Sequence, residues 1–124
     1  MLYSITNGLQ TVTSTGAVPG TLDTSAMLGP FTAKLTVAGL TAGSIAIIGL
    51  EDTASETPFS DAIAQAIWQV TGPVSSSAQI DTSLVSEYQI PGCRSGDENS
   101  KLRLYVYKLT GSDPSLTVGA EVQQ

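Results

Sequence analysis

Histidine is absent from this 124-residue chain, and cysteine occurs once, at Cys93. Without an imidazole, neither a Ser-His-Asp nor a Cys-His catalytic set can be built, and His-containing metal sites are excluded. A Ser-Lys substitute finds no Ser-x-x-Lys spacing. Cys93 has no second cysteine, which rules out an intrachain disulfide. Its neighbour Arg94 favours the thiolate, but no base accompanies the pair, so Cys93 reads as an inert loop thiol. Charge is scarce too: 13% of residues are Asp, Glu, Lys or Arg, against about 25% in ordinary soluble domains. Five basic residues face eleven acidic ones, a net charge of −6. A nucleic-acid partner needs a basic footprint, and none is expected here. The longest nearly apolar run, residues 44–50, is far short of the ~20 residues of a membrane-spanning helix, so no membrane partner is expected. The first eight residues contain no basic or long apolar stretch, so no signal peptide is read and synthesis in the cytoplasm is expected.

What the chain does contain is alternation. Phe31, Ala33, Leu35 and Val37 are apolar while Thr32, Lys34 and Thr36 between them are polar, the period of a strand with one buried face. The pattern returns at Ala78, Ile80 and Leu84, and at Leu116, Val118, Ala120 and Val122. Residues 44–50 are apolar on both sides, with Ile45 and Ile47 on one and Ala46, Ile48 and Leu50 on the other. Such a strand is central, or covered by another subunit. Residues 51–60 read as an acidic, Thr-rich loop. Residues 61–70 fit a helix, with Ile63, Ile67 and Val70 on one face, or a strand, with Ala62, Ala64, Ala66, Trp68 and Val70 aligned. The strand is preferred because strands flank it and Gly72-Pro73 ends it.

Residues 77–90 alternate over a length that calls for a bulge or bend. A polar loop extends to Ser100, residues 101–109 form a further strand, and the turn at Gly111-Ser112-Asp113-Pro114 leads into the last. Near the start, Asn7-Gly8 is a hairpin signal between residues 3–6 and 9–13. The expectation is an all-β fold: an antiparallel β-sandwich of jelly-roll type with eight or nine strands. Residues 1–29 would form a less regular N-terminal hairpin or extended arm, and residues 30–124 the sandwich domain. At this length and with 41% hydrophobic residues, one domain buries a two-layer core without disulfide or metal staples.

Candidate sites are few. Glu51-Asp52, Glu56, Asp61, Asp97-Glu98 and Glu121 are the carboxylates from which a hydrolytic pair would be drawn, though adjacent acids in loops are ordinarily solvated turns. Glu51, Asp52, Asp97 and Asn99 offer oxygen ligands suited to calcium, without an EF-hand pattern. No catalytic, cofactor-binding or metal-binding residue is assigned. Trp68, Tyr88, Tyr105 and Tyr107 compose an aromatic set for a sugar platform, or core and interface filler. Arg103, Tyr105, Tyr107 and Leu109 share the outward parity of one strand. Tyr and Arg are enriched in interface hot spots, so these four residues are the expected interaction surface.

The stretch from Gly29-Pro30-Phe31-Thr32-Ala33-Lys34-Leu35, through Gly39-Leu40-Thr41-Ala42-Gly43, to Lys101-Leu102-Arg103-Leu104-Tyr105-Val106 resembles small virion proteins of tailed bacteriophages, in particular head-decoration or cement proteins. The resemblance covers residues 24–122 in character: Ser/Thr/Gly-rich strands, few charges and no catalytic set. It implies a non-enzymatic structural subunit, synthesised in the host cytoplasm. Such a subunit would sit on the capsid surface of the virion, clamp neighbouring copies of the major capsid protein and assemble as a homo-oligomer, a trimer being favoured. It carries no site residue to this chain. The competing expectation is a carbohydrate- or receptor-binding β-module of a phage fibre or spike.

Overall fold

The computed structural model describes residues 2–24, 32–53, 62–75, 78–83 and 101–123. Among these, every regular element is a strand: β1 (Leu2–Ser4), β2 (Gln10–Val12), β3 (Gly16–Ala17), β4 (Leu22–Asp23), β5 (Thr32–Ala38), β6 (Ile45–Thr53), β7 (Ile63–Thr71), β8 (Ala78–Ser83), β9 (Lys101–Leu109) and β10 (Leu116–Gln123). All the pairings are antiparallel. Sheet A runs β1-β10-β5-β8 with β2 also on β10, and sheet B runs β3-β9-β6-β7 with β4 also on β9.

The short N-terminal strands explain the count. β1 lies opposite residues 121–123 of β10 and β2 opposite residues 116–118, end to end along one edge. β3 and β4 follow β9 in the same way. Taken as two interrupted strands, they leave eight, ordered 1-8-3-6 in one sheet and 2-7-4-5 in the other. That order is the jelly roll, in which the chain passes repeatedly between two sheets. The fold class is therefore the one expected.

Asn7-Gly8 closes no hairpin, because β1 and β2 pair with β10 and not with each other. Between them the chain dips inward. Ile5 enters the core, its N–H donates to the Ala120 carbonyl at 2.9 Å, and Thr6 Oγ1 accepts from the Ala120 N–H at 3.2 Å. Long-range pairing to an eight-residue strand outweighs the local turn preference. Gly20 joins this excursion to the second sheet. Its φ is +115°, and a Cβ there would lie 2.7 Å from both the Ile5 carbonyl oxygen and the Thr6 Cα, so only glycine fits. Residues 2–24 thus contribute strands to both sheets, and the expected boundary at 29/30 falls outside the described residues.

The core lies between the sheets and follows the alternation. Ala33, Leu35 and Val37 of β5 and Val118, Ala120 and Val122 of β10 face Ala46, Ile48 and Leu50 of β6 and Leu102, Leu104 and Val106 of β9. Each large aliphatic side chain buried here contributes about 1.5–3 kcal/mol. β6 is central, between β7 and β9, which is why it is apolar on both sides. Residues 63–71 are a strand, as preferred, and Ala66, Trp68 and Val70 pack on the core. Ala64 is exposed. The register moves from Leu50↔Ala66 to Glu51↔Ala64, so Gln65 is an extra residue that breaks the expected aligned face. β8 covers the first half of the alternating stretch, and residues 84–90 lie outside the described ones.

Candidate functional site

Two departures from the sequence expectation shape the outer face of sheet B. The first is the length of β6, which continues through Glu51, Asp52 and Thr53 where an acidic loop was expected to begin. All three residues are buried. Alternation sends Glu51 to the outer face and Asp52 to the inner one, so these adjacent carboxylates do not act as a pair. Glu121 belongs to sheet A. Glu56, Asp61, Cys93, Arg94, Asp97, Glu98, Asn99 and Tyr88 lie outside the described residues. Among the described residues, no group of three or more His, Cys, Asp or Glu side chains is placed to hold a metal ion.

The second departure is a bulge in β9. Lys108 stands opposite Ile47 but Val106 stands opposite Ile48, leaving Tyr107 as the extra residue. Before the bulge, Leu102, Leu104 and Val106 point inward while Arg103 and Tyr105 point outward. After it the parity reverses: Lys108 is exposed and Leu109 packs against the core. Of the four residues expected to form one surface, the structure gathers Arg103, Tyr105 and Tyr107 and places Leu109 on the opposite side.

The three are organised by Glu51, which sequence reasoning had assigned to a loop. Glu51 and Arg103 are directly opposed across the β6–β9 ladder. Arg103 Nε–H donates to Glu51 Oε1 at 2.9 Å, and the Tyr107 hydroxyl donates to Oε2. To reach the carboxylate, the Tyr107 ring passes over β6 at Gly49. A Cβ on Gly49 would stand 2.2 Å from Tyr107 Cε2, so glycine at that position is what admits the ring. The Arg103 guanidinium carbon sits 4.9 Å over the Tyr105 ring centre, in cation–π range. The Tyr105 and Tyr107 rings follow at 5.2 Å with a 39° tilt. The Tyr107 hydroxyl is held above the ordinary phenol range, first by burial and then by the hydrogen bond to Glu51 and that carboxylate's negative charge. The signal for Glu51 was available: Ile45, Ile47, Gly49 and Glu51 continue one parity of a strand whose apolar run simply ends in a charged residue.

Around this cluster the face is apolar and basic. Ile67 stands opposite Gly49 on β7 and is 63% exposed, Tyr107 is 39% exposed, and Ile47 is half-buried. Three of the four cations among the described residues lie on β9: Lys101, Arg103 and Lys108. Sheet A presents Thr32, Lys34 and Thr36 of β5 beside Thr117 and Glu121 of β10, with the exposed Leu2 of β1 and Leu9, which lies close to Gly119 of β10, towards its edge. Trp68 packs inward and so is not part of a platform with Tyr105 and Tyr107. The arrangement is suited to contact. Its carboxylate is occupied by two donors, and its aromatic rings are held in fixed positions before any partner arrives.

Comparison with known proteins gives no match: no family model, curated protein or solved structure is significantly similar to this chain.

Proposed function

We propose that this chain is a non-enzymatic structural subunit of a phage virion. In this role it docks on the outside of the capsid through the outer face of sheet B and reinforces the shell as a homo-oligomeric decoration protein. The observation carrying the reading is the fixed cluster on the outer face of sheet B, where Tyr105, Tyr107 and Arg103 are organised around Glu51, with Ile67 and Lys108 beside them. Preorganised Tyr and Arg side chains with an exposed aliphatic neighbour have the composition of an interface centre. Three cations on one strand of a chain with net charge −6 make an acidic protein surface the complementary partner. A decoration protein adds contact area across subunit boundaries, and repetition over a shell turns weak contacts into avidity.

The test is the thermal disruption of heads of the encoding phage, with and without the purified protein. Heads that carry it should open at a higher temperature. Heads that neither retain the protein nor gain stability would overturn the reading. The second reading is a glycan-binding module of a fibre or spike, favoured by the two outward tyrosine rings beside Glu51 and Arg103. A change in tyrosine fluorescence across a glycan panel, saturable and lost in Tyr105→Ala, would select it over the first.

A further inference from the structure

Asn7-Gly8 closes no hairpin, and its setting suits it to a different chemistry. β1 leaves β10 at Ser4↔Glu121 and β2 joins it at Gln10↔Val118, so residues 5–9 cross a gap that β10 spans with Gly119 and Ala120 alone. The front of this excursion is pinned: Ile5 and Thr6 are buried, and the Thr6 hydroxyl accepts from the Ala120 N–H. The surplus length is taken up by Asn7, Gly8 and Leu9, all exposed and outside either ladder. Nothing lies within 4 Å of where a Gly8 side chain would begin, so the space beside its backbone is open. The Gln10 side-chain amide donates to the Asn7 carbonyl oxygen. That bond draws electron density from the Asn7–Gly8 peptide and makes its N–H more acidic. The Gly8 N–H itself donates to the Thr6 carbonyl at 2.9 Å. This contact closes only the turn Thr6-Asn7-Gly8, and opening it disturbs neither sheet.

We infer that Asn7 is a self-modification site: in the folded protein its side-chain amide is lost by attack of the Gly8 backbone nitrogen, leaving a mixture of aspartate and isoaspartate. The Gly8 nitrogen gives up its proton and bonds to Asn7 Cγ, closing a succinimide ring. The Cγ–Nδ2 bond breaks, and Nδ2 leaves with that proton as ammonia. Solvent water, the sole co-reactant, then opens the ring. Attack at Cγ restores the ordinary backbone with an aspartate side chain. Attack at the backbone carbonyl carbon routes the chain through the former side chain as isoaspartate. Glycine at position 8 favours closure, because it brings no β-carbon against the ring nitrogen. The isoaspartyl product lengthens the main chain, and the slack of residues 5–9 opposite Gly119 and Ala120 absorbs the insertion. Either product adds a carboxylate to a chain of net charge −6. The new charge lies on the sheet A side, near Leu9 and Gly119, and does not depend on docking through sheet B.

The experiment is incubation of the folded chain in mildly acidic and mildly alkaline buffer. Peptide mass spectrometry follows position 7, and methyl transfer by a protein isoaspartate methyltransferase identifies the isoaspartyl form. Conversion of Asn7 is expected in native buffer, several-fold faster at the alkaline pH because ring closure uses the deprotonated nitrogen. Asn7→Gln, whose larger ring closes far more slowly, should remove the signal at this position. The side chain is exposed, so the unfolding midpoint of that variant should match the wild type. A chain that keeps the Asn7 amide in native buffer but loses it in urea would confine the chemistry to the unfolded state and overturn the inference. Conversion in neither state would overturn it as well.

Discussion

Replacing Gly49 with alanine tests the geometry of the cluster directly. The added methyl carbon would sit 2.2 Å from Tyr107 Cε2, 2.9 Å from Cζ and 3.0 Å from the hydroxyl oxygen. The β6 backbone is held between two strands, so the ring must lift and its hydrogen bond to Glu51 breaks. A hydrogen bond to a charged group contributes about 1.5–3 kcal/mol, and the 39% exposure of Tyr107 places this one towards the lower end. Against that, alanine is favoured over glycine within a strand by about 0.5–1 kcal/mol. The net expectation is a loss of about 0.5–1.5 kcal/mol, a fall in Tm of roughly 2–8 °C. Urea unfolding followed by Trp68 fluorescence measures it. The decisive comparison is Gly49→Ala in a Tyr107→Ala background, where no ring is displaced and alanine should stabilise by about 0.5–1 kcal/mol. If Gly49→Ala has the same effect in both backgrounds, the ring does not lie over Gly49 and the reasoning fails.

Leu109→Ala should cost about 1–3 kcal/mol in the same unfolding assay, because the bulge turns that side chain to the core; an outward leucine would change stability by less than about 0.5 kcal/mol. Glu51→Gln keeps the shape but removes the charge that Arg103 and Tyr107 both address, and a loss of about 1–3 kcal/mol is expected from urea midpoints. An ultraviolet titration of the phenolates should show a component ionising above the ordinary phenol range, and that component should vanish in Tyr107→Phe. Since its folded pKa is raised, its contribution to stability is complete below the ordinary phenol value of about 10 and is lost as pH rises beyond that towards the folded value. Unfolding midpoints of the wild type should therefore fall more steeply in this alkaline range than those of Tyr107→Phe.

The regular part of the fold could be read from parity alone. Leu35, Ile48, Leu104 and Val118 occupy the inward positions their alternation assigns, and the two-sided apolar run of residues 44–50 marked the central strand. What parity cannot register is an inserted residue. Nothing in the tripeptide Val106-Tyr107-Lys108 announces a bulge, yet that residue reverses everything after it and takes Leu109 from the outer surface to the core. Gln65 does the same to Ala64. The charged end of β6 was misread for a related reason: Glu51 and Asp52 look like loop residues until Arg103 is placed opposite Glu51, and that neighbour lies 52 positions away. The Asn7-Gly8 hairpin failed because a local turn signal says nothing about β10, which offers β1 and β2 a longer partner than they offer each other.

The proposed docking role is tested most directly by a binding isotherm for the purified chain on phage heads, run for wild type, Lys108→Glu and Tyr105→Ala. Saturable binding that weakens in both variants, while their unfolding midpoints show them folded, is the expected result. Binding that is absent in wild type, or unchanged in both variants, would contradict docking through the outer face of sheet B.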